Sequence, residues 1–288
     1  MKYGVIANPD RHAVRGILSH LIEWCGEQHC SVILNNVFKG DLSEFNSKPV
    51  EFVNYEDEIA EQADFIVAIG GDGTILWASQ LVKDRDIPIL GVNCGRMGFL
   101  ADIREDQLLT ALDATKHGSY YLDRRHMLVS TLPDGTEHYA LNELLFARAG
   151  KASMITLTAE YDGLLVNKYW ADGLIVSTPT GSTAYNLSSG GPIVMPQTNV
   201  VILTPINPHT LTTRPLVLPG DRELQVIVDP PEQEILFSND GRECPVDPAV
   251  KQFTIKRTDF SVNLVKLQTY NYFQTLRTKL MWGLDFRK

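Results

Sequence analysis

No stretch of this chain approaches the ~20 consecutive apolar residues that a membrane span requires, so a membrane partner is not expected. The amino terminus, MKYGVIANPD, lacks the long apolar core of a signal peptide and enters a strand pattern at once. Cysteines are few: Cys25, Cys30, Cys94 and Cys244 are scattered, with no C-x-x-C pair. That argues against a disulfide or zinc framework and suits free thiols in a reducing compartment, so a cytoplasmic location is expected. The histidines form no H-E-x-x-H. Positive charge is in deficit, and the net charge of −9 argues against a nucleic-acid groove. An acidic protein can still hold an anion locally, through backbone amides and a metal ion. Two familiar nucleotide motifs are missing as well. There is no G-x-x-x-x-G-K-[ST], and G-x-G-x-x-G fails because Leu76 stands where its last glycine belongs. No internal repeat or low-complexity tract breaks the 288 residues, enough for two domains or one large one.

What is present falls into two textures. YGVIANP reads as a strand, and Val14, Ile17, Leu18, Leu21, Ile22 and Cys25 then recur with helical period. SVILNN, FIVAIG and IPILGVN are further strands, with TILWASQLV as a helix between the last two. Short continuous apolar strands separated by helices imply a parallel sheet covered on both faces. Near Tyr120 strand runs begin to follow one another: RRHMLVSTL, TEHYALNELLFA, SMITLTAEY, LLVNKYW, VVILTPI, PLVLPG, ELQVIVD, EILFS, FTIKR and SVNLVKL. Asp134-Gly135, Asp162-Gly163 and Asp240-Gly241 separate some of them, and Asp-Gly is the favoured type I′ hairpin pair. Many short strands with regular turns suggest an antiparallel sandwich. The end, YNYFQTLRTKLMW, regains helical spacing. The expected fold class is α/β plus β: a Rossmann-like parallel α/β domain over 1–119, a β-sandwich-like domain over 120–269, and a last helix, 270–288, that returns to the first domain.

Three stretches carry candidate chemistry. Gly70-Gly71-Asp72-Gly73-Thr74 follows FIVAIG, at the carboxyl end of a parallel strand, where open sheets bind ligands. Glycines there permit positive φ and let a phosphate approach the backbone, and the helix start offers amides to an anion. A tight turn with Asp72 capping the helix explains the same residues. Asn93-Cys94-Gly95-Arg96-Met97-Gly98-Phe99-Leu100 follows the next strand; Arg96 suits a phosphate and Phe99 a ring, or they are a solvated arginine and a core aromatic. In the second half, Ala171 to Val194 sets ADGLIVSTPTGSTAYNLSSGGPIV between apolar runs. Thr178-Pro179-Thr180-Gly181 must turn, and Ser182 to Asn186 reads as the first turn of a short helix ended by Gly190-Gly191-Pro192. Small side chains and hydroxyls suit the edge of an adenine, and Tyr185 offers a stacking face. Asn142-Glu143 sits in the otherwise apolar LNELLF, as a structural pair or as a holder of ribose hydroxyls.

Together GGDGT, Asn142-Glu143, TPTGSTAYNLSSGGP, PHTLTTRPLV and YFQTLRTKLMW resemble the NAD kinases, in order along nearly the whole chain. GGDGT is shared with diacylglycerol, sphingosine and some phosphofructo-type kinases; the GSTAY block is the more specific. The resemblance implies transfer of a phosphoryl group from ATP to the 2′-hydroxyl of the adenosine ribose of NAD, giving NADP. It implies that Asp72 meets the reacting hydroxyl and that Gly73 and Phe99 contact the dinucleotide. Asn142 and Glu143 would hold the adenosine ribose. Thr183, Ala184, Tyr185 and Ser188 would surround the adenine, with Asn207 also near the ligand. Asp172 would meet the nicotinamide end, across a subunit boundary in a homodimer or homotetramer. Gly70, Gly71, Thr74 and Arg96 are the candidates for the phosphates, under a divalent metal ion, expected to be Mg2+, whose protein ligands the sequence does not name; the carboxylates of Asp72 and Glu143 are candidates. The alternatives are a diacylglycerol-like lipid kinase that shares GGDGT, and a module that senses NAD(H) without turning it over.

Overall fold

The computed structural model describes residues 1–40, 49–95, 98–150, 153–230 and 232–281. Contacts divide the chain into two compact units: Met1–Arg124 with the chain from Val262 onward, and Arg125–Ser261.

The first unit opens β1 (Lys2–Ala7), α1 (His12–Glu27), β2 (Ser31–Asn35), β3 (Val50–Val53), α2 (Glu56–Gln62). It continues with β4 (Phe65–Gly70), α3 (Asp72–Val82), β5 (Ile89–Asn93), β6 (Ile103–Arg104) and α4 (Leu108–His117). The five main strands lie in the order β3-β2-β1-β4-β5, every neighbour parallel. Helices over the faces make β4, FIVAIG, buried at every residue, which is why its apolar run is unbroken. The helical stripe of α1 lands on this sheet: Val14, Ile17, Leu18, Leu21, Ile22 and Cys25 join Tyr3, Val32 and Val67 in one core. Strand order reverses between β1 and β4, so the crevice at their carboxyl ends is the topological switch point. Gly70, paired with Asn93, ends β4 at that edge.

The second unit holds β7 (Tyr120–Thr131), β8 (Glu137–Ala140), β9 (Glu143–Arg148), β10 (Ile155–Tyr161), β11 (Leu164–Ala171) and β12 (Gly173–Ser177). After a one-turn helix, α5 (Tyr185–Ser188), come β13 (Val200–Ile206), β14 (Leu216–Pro219), β15 (Leu224–Val228), β16 (Ile235–Asn239), β17 (Arg242–Glu243) and β18 (Gln252–Leu267); β7 up to Arg124 and β18 from Val262 belong to the first unit. One antiparallel sheet runs β14-β13-β12-β9-β16-β17. Facing it, β10 pairs antiparallel with β11 and β15, β15 with β18, and β7 with β8. Burial alternates along β10 and β15, the mark of strands with one face on a core. Phe146 and Phe237 from the first sheet meet Phe253 from the other, with ring centroids 4.9 to 5.1 Å apart, offset geometries that aromatic quadrupoles favour. Within the first unit, Leu264 of β18 lies parallel to Ile89 of β5. The last helix, α6 (Tyr272–Leu280), belongs to that unit and buries Leu276; Trp282 lies outside the described residues.

Four local expectations need correction. TEHYALNELLFA is two strands, broken at Leu141-Asn142, where the chain leaves β8 in one sheet for β9 in the other. FTIKR and SVNLVKL are a single strand, β18, because no glycine or proline turn separates them. The Ser182–Asn186 stretch is not one helix start: a 3-10 turn, Thr180–Thr183, precedes α5. Asp162-Gly163 and Asp240-Gly241 have positive φ at both residues, the type I′ pattern, but at Asp134-Gly135 only Gly135 does, inside a longer loop between Thr131 and Glu137.

Candidate active site

In the first unit the glycine turn closes differently from its sequence reading. None of Gly70, Gly71 and Gly73 has positive φ. Their bareness serves space instead. A Cβ on Gly70 would lie 2.0 Å from Thr74 Oγ1, so Thr74 folds back over the strand end. Gly71 and Gly73 face open space, with nothing within 4 Å of a Cβ. Asp72 is not a side-chain cap; it is the first residue of α3, one residue earlier than the sequence suggests, and Gly71 caps the helix.

The Asp72 carboxylate turns to the loop after β5. Its Oδ2 accepts the amide of Phe99 at 2.9 Å, and its Oδ1 accepts those of Leu100 and Ala101, both at 3.0 Å. A carboxylate has about four acceptor positions, so one, on Oδ2, meets no donor among the described residues. Buried Asn93 ties the same loop, its Oδ1 accepting from Gly95 N at 2.8 Å and its Nδ2 donating to the Ala101 carbonyl at 3.3 Å. Cys94 N donates to the Gly70 carbonyl at 3.1 Å and so binds the two glycine loops together. Phe99, half-buried, is thus brought beside Asp72. Arg96 lies outside the described residues.

In the second unit Asn142 and Glu143 sit at the sheet-to-sheet crossing, Asn142 between the strands and Glu143 as the first residue of β9. Asp240 holds them there: its carboxylate accepts the amides of Leu141, Asn142 and Glu143 at 2.8, 2.7 and 3.2 Å. Its hairpin presented only a turn signal in the sequence. Glu143 is 8% exposed, its carboxylate is hydrogen-bonded by the Tyr185 amide, and its Oε2 meets no partner among the described residues. Burial first, and then the nearby Asp240 charge, push its carboxyl up to about 7. A buried acceptor without a donor is where a ligand hydroxyl fits.

Much of the hydroxyl block is spent on the fold. Thr178 Oγ1 donates to the Leu141 carbonyl at 2.6 Å and accepts from Gly181 N at 3.0 Å. Ser182 Oγ donates to the Val194 carbonyl, and Asn186 Nδ2 donates to the carbonyls of Ser182 and Pro192. Tyr185 and Ser188 are exposed around this frame, Tyr185 at 42%, while Thr183 and Ala184 are partly buried.

Asp172 and Asn207 come together, Nδ2 to Oδ2 at 3.1 Å, beside Arg148, whose Nε is 3.2 Å from Asp172 Oδ1. They stand apart from Glu143. Asp172 precedes Gly173 at one end of β12, while Glu143 pairs with Ser177 at the other, about 17 Å away at strand rise. Arg148 is a residue of this arrangement that the sequence did not single out; Asp240 was read only as a turn, and Gly98 only as part of the second glycine cluster.

Residues 3–120 match the model of the ATP-NAD kinase N-terminal domain, and residues 141–267 that of the ATP-NAD kinase C-terminal domain. The chain is 39% identical to an NAD kinase of Cytophaga hutchinsonii over 94% of each chain, and 35% identical to one of Flavobacterium psychrophilum over the full length of both. Its fold matches that of an NAD kinase from Archaeoglobus fulgidus in complex with ATP, with a TM-score of 0.77 and 28% identity over 98% of this chain and 99% of that one. A yeast NADH kinase complexed with NADH shares the fold at a TM-score of 0.91 and 23% identity, over 100% of this chain and 89% of that one. The chain belongs to the NAD kinase family.

Proposed function

We propose that this enzyme transfers the γ-phosphoryl group of ATP to the 2′-hydroxyl of the adenosine ribose of NAD, releasing ADP and NADP. One observation carries the assignment of the chemistry: three consecutive amides fix Asp72 and, among the described residues, leave it one acceptor position. A hydroxyl that donates there is held in one orientation. Phosphoryl transfer runs largely through a loose transition state, so positioning and charge compensation dominate. The hydroxyl proton leaves late and passes to Asp72, an assistance worth on the order of 10²–10⁴-fold.

Asn142 and Glu143 bind the ribose hydroxyls, the orphan Oε2 of Glu143 being the strongest support. Thr183, Ala184, Tyr185 and Ser188 surround the adenine, and Gly73 and Phe99 contact the dinucleotide. Gly70, Gly71 and Thr74 lie toward the phosphates, the open space at Gly71 and the start of α3 favouring an anion. Asp172 and Asn207 act at the nicotinamide end in a neighbouring subunit's site, a reading supported by their distance from Glu143.

A divalent cation, magnesium, enters with ATP as part of that substrate. Among the described residues no three His, Cys, Asp or Glu side chains group as a metal site, and the Asp72 oxygens are mostly engaged by amides. The enzyme works in the cytoplasm, in keeping with four free cysteines. It assembles as a homodimer or homotetramer, which would cover the exposed Leu211, Leu216 and Val217. Incubation with MgATP and NAD, with NADP read by an NADP-specific dehydrogenase, tests the activity. Light scattering tests the assembly. Absence of NADP at micromolar enzyme would refute the assignment and favour a sensing role.

A further inference from the structure

A lysine lies buried in the first unit with no part in the scheme above. Lys266, on β18, is 1% exposed, a burial lysine almost never accepts unpaired. Its Nζ donates to Asp102 Oδ1 at 2.7 Å and to the Leu100 carbonyl at 3.0 Å, and stands 4.7 Å from the Tyr270 ring centroid. Asp102 is nearly as buried; burial raises its carboxyl, and Lys266 draws it back down. A buried ion pair is weak evidence of stability, because apolar residues of similar volume often serve as well. The pair is better explained by what it holds.

It holds one peptide group. The Leu100 carbonyl that accepts from Lys266 is bonded to the Ala101 nitrogen, and that N–H donates to Asp72 Oδ1 at 3.0 Å. A single peptide plane therefore links ammonium to carboxylate, polarised in the sense that strengthens both bonds. The preceding peptide adds the Leu100 amide on the same oxygen, also at 3.0 Å.

We propose that Lys266 is a positioning residue for phosphoryl transfer, fixing the Asp72 carboxylate through the peptide between Leu100 and Ala101. The inference rests on Asp72 being the group that orients the ribose hydroxyl.

The test is a cycle of variants. Lys266→Met together with Asp102→Asn removes the pair without leaving a lone buried charge. Asp72→Asn is made alone and in combination with it. The expected result is a kcat at least ~10-fold lower for the pair variant, with calorimetric NAD affinity within about threefold of wild type. In the Asp72→Asn background the pair variant costs nothing more, since both act on one carboxylate. A merely structural lesion would lower the NAD-binding fraction and add to the Asp72 loss. Wild-type kcat in the pair variant, or multiplicative losses, would overturn the role of Lys266. If Asp72→Asn alone turns over like wild type, it is the reading of Asp72 that fails. Should the pair variant not fold by circular dichroism, Lys266→Arg is read in its place. A planar guanidinium does not reproduce the ammonium's compact donor set, so wild-type kcat there counts against the proposal and a kcat loss at unchanged affinity for it.

Discussion

A Cβ on Gly98 would lie 1.8 Å from Oδ1 of Asp72 and 2.5 Å from its Cγ, inside any contact distance. The glycine exists so that the carboxylate can occupy that space and reach the amides of Phe99, Leu100 and Ala101. Gly98→Ala must push Asp72 away from this cradle or open the loop. A displacement of about 1 Å of a positioning group costs on the order of 10²-fold in rate. The expected outcome is a kcat loss of that order with NAD affinity changed far less, checked by steady-state kinetics beside calorimetry. A Gly98→Ala enzyme with wild-type kcat would separate the cradle from catalysis.

The parallel sheet was legible because β4 and β5 are buried at every residue and carry unbroken apolar runs. The Asp162-Gly163 and Asp240-Gly241 hairpins were legible because two left-handed residues in a row leave few alternatives. The cradle was not. Asp72 and Phe99 to Ala101 are separated by 27 to 29 positions, and a hydrogen bond across such a distance leaves no period in the sequence. The break at Leu141-Asn142 was hidden likewise, since Asp240, which causes it, lies 97 to 99 residues away. GGDGT and the GSTAY block were visible as motifs, but which hydroxyls face inward depended on carbonyls that only the fold brings near.

Asn186 is the clearest of those inward groups. It is fully buried, its Oδ1 accepts from Thr204 Oγ1 at 2.6 Å, and its Nδ2 holds the Ser182 and Pro192 carbonyls. Gly191 is bare to admit it, since a Cβ there would lie 2.0 Å from Oδ1. Asn186→Ala leaves buried carbonyls and a hydroxyl unpaired, at about 1–3 kcal/mol for each group that finds no new partner. Urea unfolding should show a loss of several kcal/mol, and KM for NAD should rise because Thr183 to Ser188 lose their frame. An unchanged midpoint would mean that water replaces the side chain.

Asp240 does for Asn142 and Glu143 what the loop does for Asp72, in the opposite sense: one carboxylate gathers three consecutive amides. Asp240→Ala frees all three and lets the crossing between the sheets relax. The ribose-binding pair then loses its placement, and KM for NAD should rise about tenfold or more, with a smaller change in KM for ATP. Initial-rate kinetics with each substrate varied would distinguish this from a general loss, which would move both constants or neither.

Glu143 should make both stability and NAD affinity pH-dependent. Its carboxyl is raised from an ordinary 4.5 to about 7, by burial first and by Asp240 second. Between those values the folded state keeps a proton that the unfolded state has released, so protonation favours folding. Stability therefore falls as pH rises from about 4.5 to about 7 and is level above it, a change on the order of 3 kcal/mol at most. Glu143→Gln should remove this slope and gain most over wild type at pH 8, read by urea unfolding across the range. NAD binding runs the other way, because a charged carboxylate is the better acceptor for ribose hydroxyls. Affinity should weaken as pH drops below about 7, approaching tenfold per pH unit. Asp240→Asn removes the repulsion between the two carboxylates while keeping an acceptor at the amides, so it should carry the midpoint of that binding curve to lower pH. Calorimetric titration of NAD from pH 5.5 to pH 8 decides the matter; a flat curve would take Glu143 out of ribose binding, whatever its role in the fold.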